Sequence, residues 1–313
     1  MFVSSVYSPL ALVFVGLPVV VVAVLLIAAA VLAVRRSRAI TFDEERYPGL
    51  AALRRATLSS RYVGIAGSVI VFFGVAALGR FGQGLFIAPA AAGSVVIAAI
   101  LVGQRLTYTQ ARAVGSAGVE RRQVRDYLPA RLATISTALL LVLVLVAAWT
   151  TLAATPDASG LARAFTHPCT EQVWDGSAYQ EQVHISTSTP FPGRYYTAGM
   201  AIGILAVLAL AWVGLVATTR RPRNGADLEL VRVDDALRRQ TAEGIVAAVG
   251  LVVATTLAGL SYAAAVTVGS EACTATYGLG SWGLAAIALV ALALSLWLAV
   301  IVLVPGDGSG RSS

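Results

Sequence analysis

The run LATISTALLLVLVLVAAWTTLAA, residues 132–154, holds 23 residues without a charged side chain or a histidine. At 1.5 Å per residue it makes a helix about 34 Å long, enough to cross a hydrocarbon layer of about 30 Å. Backbone amides in lipid have no water to bind, so such a run is stable there only as a helix that satisfies its own hydrogen bonds. Six further runs have the same character: 10–34, 62–79, 85–103, 196–218, 245–267 and 282–304. The two shortest are separated by Arg80-Phe81-Gly82-Gln83-Gly84, where an arginine and two glycines favour a tight turn over one continuous helix. The expected fold is therefore an all-α integral membrane protein, a bundle of seven transmembrane helices. Residues 1–304 form one domain that includes an outer cap loop at 155–195, and 305–313 is a short cytoplasmic tail.

Composition agrees. Of 313 residues, 58% are hydrophobic and 12% charged, with a mean hydropathy of +0.79, which excludes an ordinary soluble domain, a disordered chain and a disulfide-rich secreted fold. All 23 basic side chains are arginine. The absence of lysine removes a Schiff-base chemistry and the lysine of a phosphate-binding loop. The bias toward Ala, Val, Leu and Arg looks like that of a GC-rich bacterial genome, and a bacterial plasma membrane is the expected location.

Arginine also sets the orientation. No basic residue precedes the run at 10–34, and Arg35, Arg36 and Arg38 follow it, which places the N-terminus outside and, after seven crossings, the C-terminus in the cytoplasm. The inner segments 35–61, 104–131, 219–244 and 305–313 then hold 20 of the 23 arginines and 11 of the 16 acidic residues, net +9. The outer segments keep 3 arginines and 5 acidic residues, net −2. Cys169 and Cys273 both fall outside, where oxidising conditions allow a disulfide that clips the cap loop to the turn between the last two spans.

The inner loops of 27, 28 and 26 residues resemble one another. Arg35-Arg36-Ser37-Arg38 precedes Leu53-Arg54-Arg55 much as Arg220-Arg221-Pro222-Arg223 precedes Leu237-Arg238-Arg239, and Arg121-Arg122-Gln123 matches Arg238-Arg239-Gln240. A threefold repeat of helix, inner loop and helix follows as an expectation. Each inner loop is expected to end in a helix that runs on into the next span, started by Pro48 in one case and by Asp234 or Asp235 in another. Arg54, Arg55, Arg121, Arg122, Arg238 and Arg239 then lie just below the bilayer, placed to meet anionic headgroups or a cytoplasmic or membrane protein. Nucleic acid is not expected as a partner, because topology explains the basic residues.

The spans hold no ionisable group, which disfavours intramembrane proton relays and haem ligation. Thr134, Ser136, Thr137, Thr255, Thr256, Ser261 and Tyr262 are the hydroxyls that a polar path would use, and Pro18 and Pro89 the candidate kinks. Gly64 with Ser68, and Gly199 with Gly203, have the small-xxx-small spacing of close helix packing. In the cap loop, His167, Glu171, Trp174, Asp175, Glu181 and His184 gather, and Glu181 and His184 share a face if the segment is helical. Their spacing matches no metal signature, and no catalytic residue, metal ligand set or cofactor is expected. Two functions are carried forward. One is a non-catalytic membrane subunit or scaffold that acts through its inner Arg-rich helices and outer cap. The other is a permease-type transport component for an uncharged or lipid-like solute, driven by a separate ATPase.

Overall fold

A computed structural model describes residues 48–111, 123–174, 178–220, 228–269 and 275–304. The expected span at 10–34, the tail at 305–313, and Arg121, Arg122 and Cys273 lie outside the described residues. The elements are α1 (Pro48–Ala76), α2 (Gln83–Ala111), α3 (Ala130–Ala153), β1 (Thr155–Pro156), β2 (Ala162–Trp174), β3 (Tyr179–Ser188), α4 (Arg194–Arg220), α5 (Leu228–Gly269) and α6 (Ala275–Leu303). Among the described residues, six helices are long and apolar enough to cross a membrane, as a multi-pass membrane protein requires. Their exposed faces carry Leu, Val, Ile and Trp, which suits contact with lipid.

The expectation of an all-α chain is corrected at the cap. Residues 155–174 and 178–188 contribute a three-stranded antiparallel sheet in the order β1-β2-β3. In β2, Phe165, His167 and Cys169 are buried while Pro168 and Thr170 are exposed, the period of two that a sheet with one covered face imposes. Glu181 and His184, read as neighbours on a helical face, stand on opposite faces of β3.

The expected turn between the runs 62–79 and 85–103 is present. Gly79, Phe81 and Gly82 have φ of 84°, 55° and 76°, so three of four consecutive residues take left-handed backbone to reverse the chain. Gly84 opens α2 directly against the end of α1: a Cβ there meets the carbonyl oxygens of Val75 and Leu78. Pro48 starts α1 as expected, and α1 continues unbroken into its span. The helix before the span 245–267 begins earlier than expected, at Leu228, so Asp234 and Asp235 lie inside α5 and not at its N-terminus.

At 42 residues, α5 is the longest helix and the most deeply buried of the six. α3, α4 and α6 pack on it, and α2 packs on both α4 and α5, with α1 along the outer side of α2. The core is Ala- and Val-rich along α5, where Ile245, Ala247, Ala254, Leu260 and Ala264 are fully buried. Packing does not follow the proposed repeat among the described pairs. α4 and α5 pack together, whereas α2 and α3, which occupy the corresponding places, have at most marginal contact.

Candidate functional site

On the side opposite the sheet, Arg61, Asp234 and Arg238 are buried within the fold. Arg238 is 0% exposed. Its Nε and Nη2 donate to Asp234 Oδ2 at 2.9 and 2.8 Å, and its Nη1 donates to the carbonyl oxygens of Thr218 and Thr219 at 3.0 and 3.4 Å. Those carbonyls belong to the last turn of α4, whose oxygens have no partner within the helix and carry its negative end. Gln104 on α2 donates to Thr218 Oγ1 at 3.0 Å, which joins α2, α4 and α5 in one buried polar network. Tyr127 donates to Asp235 at 3.0 Å and ties the chain before α3 to α5. Arg61 is also buried and its guanidinium packs on Gly244 of α5.

Arg238 is therefore corrected from a lipid or partner contact to a buried cap, because its charge is neutralised and its donors are taken up by α4. Arg55 and Arg239 are exposed. The side chain of Arg54 is outside the described residues.

On the sheet side, the turn between α1 and α2 is held against the base of the hairpin. Arg163 on β2 stacks over the Phe81 ring at 3.6 Å from its centroid and pairs with Asp157, which also accepts from the backbone N–H of Ser159 and Leu161. Tyr195 and Tyr196 donate to the carbonyl oxygens of Arg80 and Phe81, each at 2.9 Å. Burial raises the Asp157 pKa, but the two N–H donors and Arg163 outweigh it and hold the carboxyl below its ordinary value.

The hydroxyls named for a polar path do not converge. Thr255 and Thr256 donate to carbonyls of their own helix, as does Thr134, and Thr137 and Tyr262 are exposed on the flanks of α3 and α5. Ser136 and Ser261 are buried on different helices. The small residues serve internal packing. Cβ atoms built on Gly199 and Gly203 fall 2.9 Å from Ile87 Cδ1 and 2.8 Å from Ala90 Cβ, and one on Gly64 falls 2.6 Å from Ala99 Cβ. All three glycines thus face α2, and Ser68 donates to Ile65 within α1.

Two surfaces were not foreseen from sequence. One is the outward face of the hairpin, where the register sets Trp174 opposite Tyr179, Thr170 opposite Val183 and Pro168 opposite Ile185. Val183 and Ile185 are 70% and 75% exposed, and the Trp174 and Tyr179 rings meet edge to face at 5.1 Å. β3 is also an edge strand, with one row of backbone groups unpaired within the sheet.

The other is a cleft of about 470 Å³ under the hairpin. Its floor is Val268 at the end of α5, one wall is Leu145, Val146 and Trp149 of α3, and the other is Gly280 and Leu284 of α6. Phe165 of β2 roofs it. Phe165 is itself fixed by the ring of buried Phe191 at 5.0 Å, which in turn meets Trp149 edge to face at 6.0 Å. The cleft exists because α3 and α6 both rest on α5 and, among the described residues, have at most marginal contact with each other. No group of His, Cys, Asp and Glu able to hold a metal occurs among the described residues.

Cys169 is buried on β2. No family model, curated protein or solved structure matches the chain.

Proposed function

We propose that the chain is a non-catalytic subunit of a membrane assembly, and that the outward face of its hairpin is where an outer protein partner binds. The observation that supports this reading is the stripe of Trp174, Tyr179, Val183 and Ile185 on a two-sided strand pair with an open edge. Soluble surfaces rarely gather large apolar side chains on an edge strand, since that arrangement recruits further strands or apolar partners. The frame for this role is a bacterial plasma membrane crossed seven times with the N-terminus outside, as the arginine distribution implies. Cys169 pairs with Cys273 in this reading and holds the hairpin to the start of the last span. Exposed Arg55 and Arg239, with Arg54, Arg121 and Arg122, meet anionic headgroups on the inner side. The hydroxyls spent on their own helices also support a subunit over a permease, whose solute needs a path through the spans.

The test is photo-crosslinking in native membranes from residues placed at Val183 and Ile185. A single protein adduct is expected that forms from both positions, does not form from Trp212 on α4, and weakens when the other position of the pair is changed, Ile185→Ser with the crosslinker at 183 and Val183→Ser with it at 185. Equal labelling of many proteins from all three positions removes the proposal.

The transport alternative draws on the lateral cleft between α3 and α6. It requires that a lipid-like solute entering there also leave on the other side of the membrane.

A further inference from the structure

We infer that the cleft between α3 and α6 is a binding site for one acyl chain of a phospholipid in the leaflet on the hairpin side. Among the described residues its lining is hydrocarbon apart from the indole of Trp149, which suits a ligand whose buried part carries no group that needs a hydrogen bond. Its volume of about 470 Å³ lies within the range of formed ligand sites, roughly 300–1,000 Å³. Among the described residues, a cleft between two helices with at most marginal contact opens sideways, on the flank where Leu145 and Trp149 are exposed. The rim is itself lipid-facing: Leu145 is 69% exposed, and Trp149 one turn along α3 is exposed as well. A tryptophan at this height suits the boundary between chains and headgroups. The roof makes the site more than a groove in the bundle surface. Phe165 closes the end away from the bilayer, and Phe191, fully buried behind it, keeps that ring in place. Among the described residues, a chain lying there has Val268 beneath it, α3 and α6 on either side and Phe165 above it.

Gly280 gives the means to fill the site without deforming it. A Cβ on Gly280 meets nothing within 4 Å, and its backbone is ordinary helix, so a larger side chain there projects into the cleft. The binding site stands whether or not the hairpin docks a partner.

The experiment uses the full chain with tryptophan kept only at Trp149, stripped of lipid in detergent and titrated with phosphatidylglycerol carrying a brominated chain. The same chain with tryptophan kept only at Trp212, an exposed indole on α4, is the comparison for non-specific contact. Quenching of Trp149 that saturates at one lipid per protein is expected, together with weak, unsaturated quenching of Trp212. Gly280→Leu is expected to abolish the saturable phase at Trp149 while the unfolding temperature holds. Should Gly280→Leu not fold, Leu145→Phe at the exposed rim serves as the blocking variant. Parallel unsaturated quenching of both tryptophans, or saturation that survives a folded blocking variant, overturns the inference. A photo-crosslinker at Leu145 in native vesicles gives a second readout: a lipid mass increment supports the site, and a protein adduct overturns it in favour of a partner helix.

Discussion

Arg238 follows Asp234 by one helical turn on α5, and the two wholly buried side chains meet with both Nε and Nη2 of the arginine on a single carboxylate oxygen. The remaining donor, Nη1, reaches the end of α4, so the pair is also the joint between two helices. Removing one partner leaves an uncompensated buried charge, which typically costs about 3–5 kcal/mol. Asp234→Ala is therefore expected to lower the unfolding temperature in detergent strongly, and Arg238→Ala to do so while also uncapping α4. The double change Arg238→Met, Asp234→Leu restores part of the loss, since it removes both charges and keeps the volume. Tryptophan fluorescence during heating measures all three. An Asp234→Ala protein as stable as the parent excludes the buried pair.

The spans described here and the turn at Arg80–Gly82 were legible because lipid imposes a simple condition, an uncharged run of sufficient length, that sequence states directly. The role of Arg238 was not, because the same residue type satisfies both the orientation rule and a helix cap; only the path of α4 past α5 separates them. The hairpin left a signal that went unused. In Val183-His184-Ile185-Ser186-Thr187, β-branched residues alternate with polar ones, and Asp175-Gly176 upstream is a turn-favouring pair. The cleft had no such signal. It depends on α3 and α6 having at most marginal contact, and Gly280 looks in sequence like any other helix-packing glycine.

Acid is expected to loosen the base of the hairpin before it affects the bundle. Asp157 has a folded pKa below its ordinary 3.8, owing to burial that raises it being outweighed by the Leu161 and Ser159 amides and by Arg163. A carboxyl depressed in the folded state adds stability in full above the unfolded value, and that stability disappears as pH falls through the folded one. Protection from amide hydrogen exchange across 157–165, taken relative to the intrinsic rate at each pH, should fall below about pH 4 while that of the helices holds. Asp157→Asn should show the lower protection already at neutral pH and little further change in acid. Protection across 157–165 that is constant with pH in the parent protein rules out this role for Asp157.

Pairing of Cys169 with Cys273 is expected to make the oxidised chain migrate faster than the reduced one on a denaturing gel. Cys169→Ser should migrate at the reduced position under both conditions. The closed loop spans about 100 residues, for which chain entropy alone gives up to ~4.7 kcal/mol, but spans already inserted in lipid have less freedom to lose. Reduction should thus free the hairpin, seen as faster proteolysis within 155–188, with little change in the unfolding temperature of the spans. Mobility unaffected by reductant, with both thiols open to alkylation after denaturation, removes the clip.

Close packing of α4 on α2 can be tested by exchanging a methyl group between the two helices. A Cβ at Gly203 falls 2.8 Å from Ala90 Cβ, and Ala90 is buried, so neither side has room to yield. Gly203→Ala is expected to destabilise the bundle, and Gly203→Val more so, within the roughly 1–3 kcal/mol of an overpacked core. Adding Ala90→Gly to Gly203→Ala moves the methyl from one helix to the other and should recover most of the loss, since a coupled pair departs from additivity where distant sites do not. Gly283→Ala, where a Cβ meets nothing within 4 Å, is the neutral comparison. Thermal unfolding of the four variants measures the coupling. Recovery by Ala90→Gly places the contact inside one chain. Loss of a dimer with Gly203→Ala, unrelieved by Ala90→Gly, assigns Gly203 to an interface between copies and refutes the packing argued here.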